Sequence, residues 1–297
     1  MIETSQASKC APRASTSMSA IELPRRVLHS YWRWRNDLDI RAGRRAKHIV
    51  ICGYPRSGTS LLFNMVSSSI SGFRCEPFEQ QAIRRLHRRG NYVTKFPLDV
   101  LNINVILNAN LLAKDIYFVA MIRDIRDLIT SRHPMVPDRY FIGYRASLWP
   151  TGPGFSAWDY KAPGIEAVYR AIRACAARTD VNFLTVRYEN LVADSVSVQR
   201  QIERFVGITF ADSFSDYHNR RDRHAYNYTG RYAARDPSLV RENSRADPSR
   251  VAKWRNPAHT EIIRSQFHQH PELFQILIED GYEKDADWFN EFQRTAT

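Results

Sequence analysis

An apolar run that leads into a glycine-bracketed turn constrains this chain more than any other feature. Residues 48–63 read His-Ile-Val-Ile-Cys-Gly-Tyr-Pro-Arg-Ser-Gly-Thr-Ser-Leu-Leu-Phe. This pattern predicts a strand, a tight loop between Gly53 and Gly58, and a helix that begins near Thr59. The first amides of a helix have no intrahelical acceptor and lie at the positive end of its dipole, so the loop is expected to bind phosphate or sulfate.

The loop differs from a nucleoside-triphosphate loop in the position of its cation. Gly53 and Gly58 have the spacing of G-x-x-x-x-G-K-[ST], but Thr59 occupies the lysine position and the nearest cation is Arg56. The γ-phosphate of Mg-ATP is therefore not the expected ligand. The residues predicted to contact the anion are Arg56, Ser57, Gly58, Thr59, Ser60 and Leu61.

Short strand-like segments alternate with helical segments after the loop. Strands are predicted at 49–53, 92–96, 116–122 and 181–186, and helices at 59–70, 99–112, 165–177 and 196–206, with a further helix opening at Asp124. The alternation predicts an α/β fold, a P-loop-like parallel sheet flanked by helices on both faces. Ligands bind at the carboxyl ends of such strands, so Phe96, Arg123 and Arg187 are expected beside the loop.

Two segments interrupt this alternation. Residues 133–163 are aromatic and rich in proline and glycine, and we predict an ordered substrate flap because loops of this length are commonly functional. Residues 211–250 are polar and arginine-dense, and they are interpreted either as a solvated cap or as a second anion clamp.

Composition limits the possible partners and compartments. The 297 residues are 43% hydrophobic, enough for a sizeable core, and the net charge of +12 favours anionic ligands or an anionic surface. The four cysteines lack metal-ligand spacing, so neither a metal site nor a disulfide framework is expected. No apolar run approaches about 18 residues and no secretory signal pattern is present, so a cytoplasmic location is predicted.

Four regions are predicted along the chain. Residues 1–20 are interpreted as a disordered tail, 21–47 as a basic amphipathic helix, 48–285 as the main domain and 286–297 as a C-terminal tail. The helix would place Val27, Tyr31, Trp34 and Leu38 on one face. Two interpretations of it remain open, namely peripheral contact with an anionic membrane and packing on the main domain.

A second candidate anion site follows the apolar strand at 116–122. Arg123 ends that strand and Ser131 comes two helical turns later, so a helix between them would turn both side chains to one anion. Together with the loop at Gly53, this arrangement suits a nucleotide that carries both a 5′ anion and a 3′-phosphate.

These motifs carry a family resemblance. The loop 54–60 resembles the 5′-phosphosulfate loop of the sulfotransferases, and Arg123 with Ser131 resembles their 3′-phosphate motif. Residues 187–191 are similar to their strand-end motif, whose tyrosine, here Tyr188, approaches the adenine. Residues 249–256 resemble the segment that closes over the 3′-phosphate, which adds Arg250, Lys253 and Trp254 to the expected cofactor contacts.

The resemblance implies that 3′-phosphoadenosine 5′-phosphosulfate (PAPS) is the cofactor and that a sulfuryl group moves to an acceptor hydroxyl. No metal is required, because side chains alone can neutralise the leaving phosphate. Arg56 and Leu61 stand where the cytosolic small-molecule branch has lysine and tryptophan, and residues 93–97 lack its catalytic histidine. The chain is therefore more similar to the carbohydrate and tyrosylprotein branches. The expected acceptor is a carbohydrate or a glycolipid, with another small molecule as the alternative.

Sulfuryl transfer requires cations near the leaving phosphate and a base for the acceptor proton. Arg56 and Lys95 are the candidates for the cations. Glu76 is the favoured base, because the tyrosylprotein branch similarly has a catalytic glutamate just after an Arg-Cys pair. Glu79 and His87 remain alternatives.

Two other function classes agree less well with these residues. A P-loop kinase or NTPase would need a lysine after Gly58 and an acidic magnesium ligand at a strand end, but Thr59 and Arg123 occupy those places, although Asp124 follows. A non-catalytic polyanion-binding protein would explain the charge but not the four ordered motifs. No nucleic-acid partner is expected, and the oligomeric state is left open.

Overall fold

The computed structural model describes residues 45–76, 79–132, 140–151, 157–220 and 246–294, together with isolated positions between 30 and 43. The chain divides into a short unit, Met1–Arg44, and a compact unit, Arg45–Thr297. In the short unit Ser30, Trp34, Leu38 and Arg41 have helical geometry. The predicted tail at 1–20, like Val27 and Tyr31, lies outside the described residues, so the role of the N-terminal helix stays a prediction.

Two β-sheets organise the described part of the compact unit. Its strands are β1 (Lys47–Gly53), β2 (Phe73–Cys75), β3 (Asn91–Lys95), β4 (Asp115–Ile122), β5 (Phe141–Ile142), β6 (Ala146–Thr151), β7 (Ala157–Pro163) and β8 (Asn182–Arg187). Five of them form a parallel sheet in the order β2-β3-β1-β4-β8. Since all five run in one direction, the residues after β1, β3, β4 and β8 meet at one edge, which confirms the predicted sheet.

Helices cover both faces of the parallel sheet. They are α1 (Thr59–Ser69), α2 (Ile103–Asn108), α3 (Ile125–Ile129), α4 (Ile165–Ala176), α5 (Tyr188–Ala193), α6 (Ser195–Val206), α7 (Thr260–Gln269), α8 (Glu272–Glu279) and α9 (Asp287–Arg294). Side chains of a strand alternate between faces, and accordingly Val50 and Cys52 of β1 pack with α4, α7 and α8, whereas Ile49 and Ile51 pack with α1 and α6. The central strand is thus buried on both sides.

Two predicted helices differ in extent from those observed, and one observed strand was not predicted. The helix expected at 99–112 is a 3₁₀ helix, Pro97–Asn102, followed by the short α2. The helix expected to continue from Asp124 to Ser131 ends at Ile129, after little more than one turn. Strand β2 was not predicted, because three residues are too few to show a periodic pattern.

The segment predicted as a flap contains a three-stranded antiparallel sheet in the order β5-β6-β7. Its pairing joins residues that are distant in sequence, as between Ala146 and Pro163, so a local pattern could not reveal it. Residues 133–139 and 152–156 lie outside the description, as do 221–245 of the arginine-dense segment, and the substrate-flap role stays a prediction.

The C-terminal segment differs from the expected tail. Residues 287–294 form α9, and Phe289, only 6% exposed, packs against Phe267 at 5.8 Å and Phe274 at 5.2 Å between ring centroids. Aromatic residues at 288, 289 and 292 form one helical face that requires a partner. None of the described helices is long and apolar enough to cross a bilayer.

The turn after β1 is expected to depend on glycine. Gly53 has a φ of 118°, and a Cβ there would lie 2.6 Å from the backbone nitrogen of Met121. Gly72 also has a positive φ, 74°, but it has open space around it. Replacing Gly53 by alanine should lower the free energy of unfolding by at least about 3 kcal/mol, because strain and overlap add, whereas Gly72→Ala should cost about 1 kcal/mol. Urea denaturation measures both, and equal costs would show that the overlap relaxes freely.

Candidate anion-binding and catalytic site

The loop between β1 and α1 is closed by its own hydrogen bonds. The Tyr54 amide donates to the Met121 carbonyl at 3.1 Å, and the Ser57 hydroxyl donates to the Tyr54 carbonyl at 2.6 Å. Ser57 is fully buried, so its hydroxyl shapes the loop and does not project into solvent. Arg56 has a φ of 66°, a left-handed conformation that is uncommon for arginine, and its side chain is exposed. The loop therefore projects Arg56 outward.

Among the described residues, none caps the amino end of α1. Gly58 occupies the N-cap position with a φ of 92°, no side chain accepts from the first turn, and that turn contains no acidic residue. The first backbone bond runs from the Leu62 amide to the Gly58 carbonyl at 3.0 Å. Within the described ranges, the amides from Gly58 to Leu61 meet no carbonyl acceptor, so they are available to an anion.

Arg123 lies just beyond β4 and is held from several sides. Its Nη2 and Nε donate to Asp127 Oδ2 at 3.0 and 3.3 Å, and its Nη1 donates to the Arg56 carbonyl at 3.3 Å. The guanidinium lies 4.3 Å from the ring centroid of Tyr188 and also donates to the Arg250 carbonyl. Arg123 thus joins the loop to the segment 249–256, which contains Arg250.

Asp127 connects Arg123 to the backbone at Trp254. Its side chain is fully buried, and its Oδ1 accepts from the Trp254 amide at 2.9 Å. Burial raises the pKa of Asp127, and the Arg123 guanidinium and the Trp254 amide oppose that rise. Asp127 was not singled out from the sequence, although its position four residues after Arg123 was a usable signal.

Ser131 directly contacts the loop between β1 and α1, here called the phosphate loop. Its Oγ accepts from Arg56 Nε at 3.2 Å. This contact forms although α3 ends before Ser131, so the predicted two helical turns are not what brings the residues together. The loop and the Arg123–Ser131 motif are therefore adjacent, which is the arrangement that one ligand with two anionic groups requires.

Tyr188 packs tightly under the loop. A Cβ on Gly58 would lie 2.5 Å from Tyr188 Cδ2, so this contact requires glycine. Tyr188 is 4% exposed, and burial raises the pKa of its hydroxyl. A direct contact between its ring and a bound adenine stays a prediction.

The C-terminal motif is divided between surface and core. The side chains of Arg250 and Lys253 are exposed. Trp254 is buried, with its ring 3.9 Å from the Arg126 guanidinium and 5.6 Å from the ring of Trp288. Trp254 therefore acts on the site through its amide and Asp127, and the predicted contact of its ring with the cofactor stays a prediction.

The candidate catalytic residues lie at the carboxyl ends of β2 and β3. Lys95 is 1% exposed and forms an ion pair with Glu79. Burial lowers the pKa of Lys95, the Glu79 carboxylate opposes this, and the nearby Arg56 lowers it further. Lys95 and Arg56 are thus close enough to interact.

Glu76 is held by a cation that the sequence did not indicate. Arg85 Nε and Nη2 donate to Glu76 Oε1 and Oε2 at 2.5 and 2.9 Å. A planar guanidinium fixes a carboxylate in two directions, so the position of Glu76 is defined by Arg85. His87, the remaining candidate, is exposed on the same turn.

The buried Asp127 carboxylate holds the Arg123 side chain, so Asp127 should control how well Arg123 binds an anion. Asp127→Asn keeps an acceptor for the Trp254 amide but removes the charge that holds Arg123. We expect the affinity for 3′,5′-adenosine bisphosphate to fall about tenfold while the affinity for AMP changes little. Calorimetric titration measures both, with Asp180→Asn, at an exposed ion pair, as the matched control. An equal loss for both nucleotides would contradict a role confined to the 3′ site.

Three solved structures with distant similarity are sulfotransferases or sulfotransferase domains. The sulfotransferase domain of the Synechococcus PCC 7002 olefin synthase is 18% identical, with coverage of 71% of this chain and 88% of the other and a TM-score of 0.44. The sulfotransferase domain of the curacin biosynthetic pathway is 14% identical, with coverage of 71% of this chain and 91% of the other and a TM-score of 0.46. Mouse SULT7A1 complexed with PAP is 13% identical, with coverage of 79% of this chain and 85% of the other and a TM-score of 0.41. These likenesses are too distant to carry an argument about substrates.

A family profile gives the assignment. No curated protein sequence showed significant similarity to the chain. The profile described as "Sulfotransferase domain" matches residues 46–256, more than half of the chain, and this range contains the loop, Arg123, Ser131 and Trp254. The protein therefore belongs to the sulfotransferase family and is an enzyme of sulfuryl transfer.

Proposed function

We propose that this enzyme transfers the sulfuryl group of PAPS to a hydroxyl of a carbohydrate or glycolipid acceptor. The contact between Arg56 and Ser131, which joins two anion-binding features, carries the proposal. One feature offers the free amides of α1 and the other offers Arg123, so together they suit a nucleotide with anions at both the 5′ and 3′ positions.

The donor would be held along the carboxyl edge of the sheet. The amides from Gly58 to Leu61 would bind its 5′ end, and Arg123 and Ser131 would bind its 3′-phosphate. The exposed side chains of Arg250 and Lys253 would add positive charge over that phosphate. Tyr188, which the resemblance assigns to the adenine, supports this position from beneath through Arg123.

Bound PAPS would supply the sulfuryl group on its 5′-phosphate. Arg56 and Lys95 would stabilise the negative charge that the 5′-phosphate oxygen gains when its bond to sulfur breaks. Glu76 would accept the proton of the acceptor hydroxyl as the oxygen approaches sulfur in line. Arg85 would orient this carboxylate, since it binds both oxygens. Glu79, bound by Lys95, is the alternative base. His87, which lies on the same turn as Arg85, is the third candidate.

The acceptor is inferred from the branch of the family. The loop carries Arg56 in place of lysine, and residues 93–97 lack a histidine, which favours the carbohydrate type over the cytosolic small-molecule type. A hydroxyl-bearing small molecule remains the alternative acceptor.

The kinase alternative gains no support from the site. Asp124 was the acidic candidate for a magnesium ligand, but its carboxylate pairs with Arg126 at 2.7 Å. Thr59, which replaces the motif's lysine, is 4% exposed at the start of α1. The phosphate loop therefore lacks the parts that bind Mg-ATP.

Ligand binding should separate the two activities. A ligand that binds only the folded state raises the apparent stability as its concentration increases. We expect 3′,5′-adenosine bisphosphate to raise the melting temperature without magnesium and ADP to have little effect. Differential scanning fluorimetry measures both, and a preference for Mg-ATP would overturn the assignment.

Replacing the candidate base should separate turnover from binding. Glu76→Gln should lower turnover by at least about 100-fold, the usual contribution of a general base, while the affinity for the bisphosphate stays within about twofold. Labelled PAPS with a panel of saccharide acceptors measures turnover, and Glu79→Gln is the matched comparison. If Glu76→Gln retains full turnover and Glu79→Gln loses it, the base is Glu79.

A further inference from the structure

A turn rich in arginine lies beside the candidate base. Residues 81–88, here named the basic turn, fold as successive three-residue turns, with the amides of Arg84, Arg85 and Arg88 bonded to the carbonyls of Gln81, Ala82 and Arg85 at 3.1, 2.8 and 3.0 Å. The turn connects β2 to β3, and Arg85 reaches back to Glu76 at the end of β2.

Contacts with β3 and the residues after it fix the start of the basic turn at the carboxyl edge of the sheet, and the turn then runs toward Asn91, where β3 begins. The Gln80 amide donates to the Lys95 carbonyl at 3.0 Å, and the Ala82 amide donates to Asp99 Oδ2 at 2.8 Å. Because β3 pairs with β1, the turn is held next to the strand that leads into the phosphate loop.

The basic turn has a buried side and an exposed side. Ala82 and Leu86 are buried in the core. Arg84 and Arg88 are exposed, and Ile83 is 38% exposed beside them. The buried anchors hold the backbone, so the two arginines stand on a fixed surface and not on a free loop.

The nearby carboxylates leave two positive charges uncompensated. Glu76 pairs with Arg85 and Glu79 pairs with Lys95. Across the residues that the structure describes, no carboxylate lies within ion-pair distance of Arg84 or Arg88. Like charges on one short turn repel each other, and an anion bound between them would relieve that repulsion.

We propose that the acceptor is an acidic saccharide, and that Arg84 and Arg88 bind an anionic group close to the hydroxyl that receives the sulfuryl group. This inference rests on the proposed function, since it places the acceptor beside Glu76. Arg85 positions the base while its two neighbours bind the substrate. Arg84 and Arg88 flank Arg85 in the turn, and Arg85 binds Glu76, so an anionic group held by the two arginines also selects which hydroxyl is presented to the base.

Exchanging both arginines tests this surface. Arg84→Ser with Arg88→Ser removes the two charges, and Arg84→Lys with Arg88→Lys keeps them. Arg200→Ser with Arg204→Ser is the matched control, because these arginines are also exposed, four residues apart and on another element, α6. All four positions are exposed, so the variants are expected to fold, and thermal unfolding verifies this.

The probes are a heparin tetrasaccharide, which carries sulfates and carboxylates, trigalacturonate, which carries only carboxylates, and neutral maltotetraose. Calorimetric titration with saturating 3′,5′-adenosine bisphosphate keeps the probes out of the donor site. We expect the unchanged protein to bind at least one acidic probe and not maltotetraose. The serine pair at 84 and 88 should weaken that binding about tenfold, and the lysine pair and the α6 control should each change it less than about threefold.

Each outcome decides the inference. Binding of trigalacturonate supports recognition of a carboxylate, and binding of the heparin tetrasaccharide alone supports recognition of a sulfate. Equal weakening by the serine pairs at 84/88 and 200/204, equal binding of maltotetraose, or no binding of either acidic probe would overturn it. The affinity for 3′,5′-adenosine bisphosphate is measured first in each sample and tests the proposed function separately. If the bisphosphate does not bind, the proposed donor site is wrong, whether or not the saccharides bind.

Discussion

The buried ion pair between Arg123 and Asp127 is the interaction on which the rest of the site depends. It lies where β4 ends, and from there Arg123 reaches the backbone of the phosphate loop and of the C-terminal segment, while Asp127 accepts the Trp254 amide. Breaking a buried pair by removing one partner costs about 3–5 kcal/mol, because the other charge is left without compensation. The pair therefore holds three separate parts of the chain in one arrangement.

Cations around the site are held by different means according to their place. Those beneath the surface have carboxylate partners, as in Arg126 with Asp124 and Glu283 or Lys95 with Glu79. Arg56 is exposed and bonded only through a neutral hydroxyl among the contacts described. A cation without a carboxylate partner offers its full charge to a ligand, whereas Lys95 and Arg123, which the proposed function also assigns to anionic groups of the donor, are partly neutralised by Glu79 and Asp127.

The loop after β1 and the strand end at Arg123 were more predictable from the sequence than their surroundings. The strand predicted at 49–53, the turn and α1 follow from local pattern and glycine positions, and Arg123 follows a long apolar strand. The second sheet and α9 did not emerge, since the first requires pairing between distant residues and the second requires an aromatic partner surface. The contacts of Arg56 with Ser131 and of Arg85 with Glu76 were likewise invisible, because side chains from separate elements meet only after folding.

Sequence alone determined the chemical character of this protein: a glycine-bracketed loop without the lysine for Mg-ATP, an arginine at a strand end, and an excess of positive charge. These properties are local, since they depend on residue type and on spacing within a few turns. Only the tertiary structure decided which charges are neutralised. The range of a charge pair is a few ångströms, whereas the partners of Arg123, Lys95 and Glu76 include residues from other segments, and sheet register and burial set those distances.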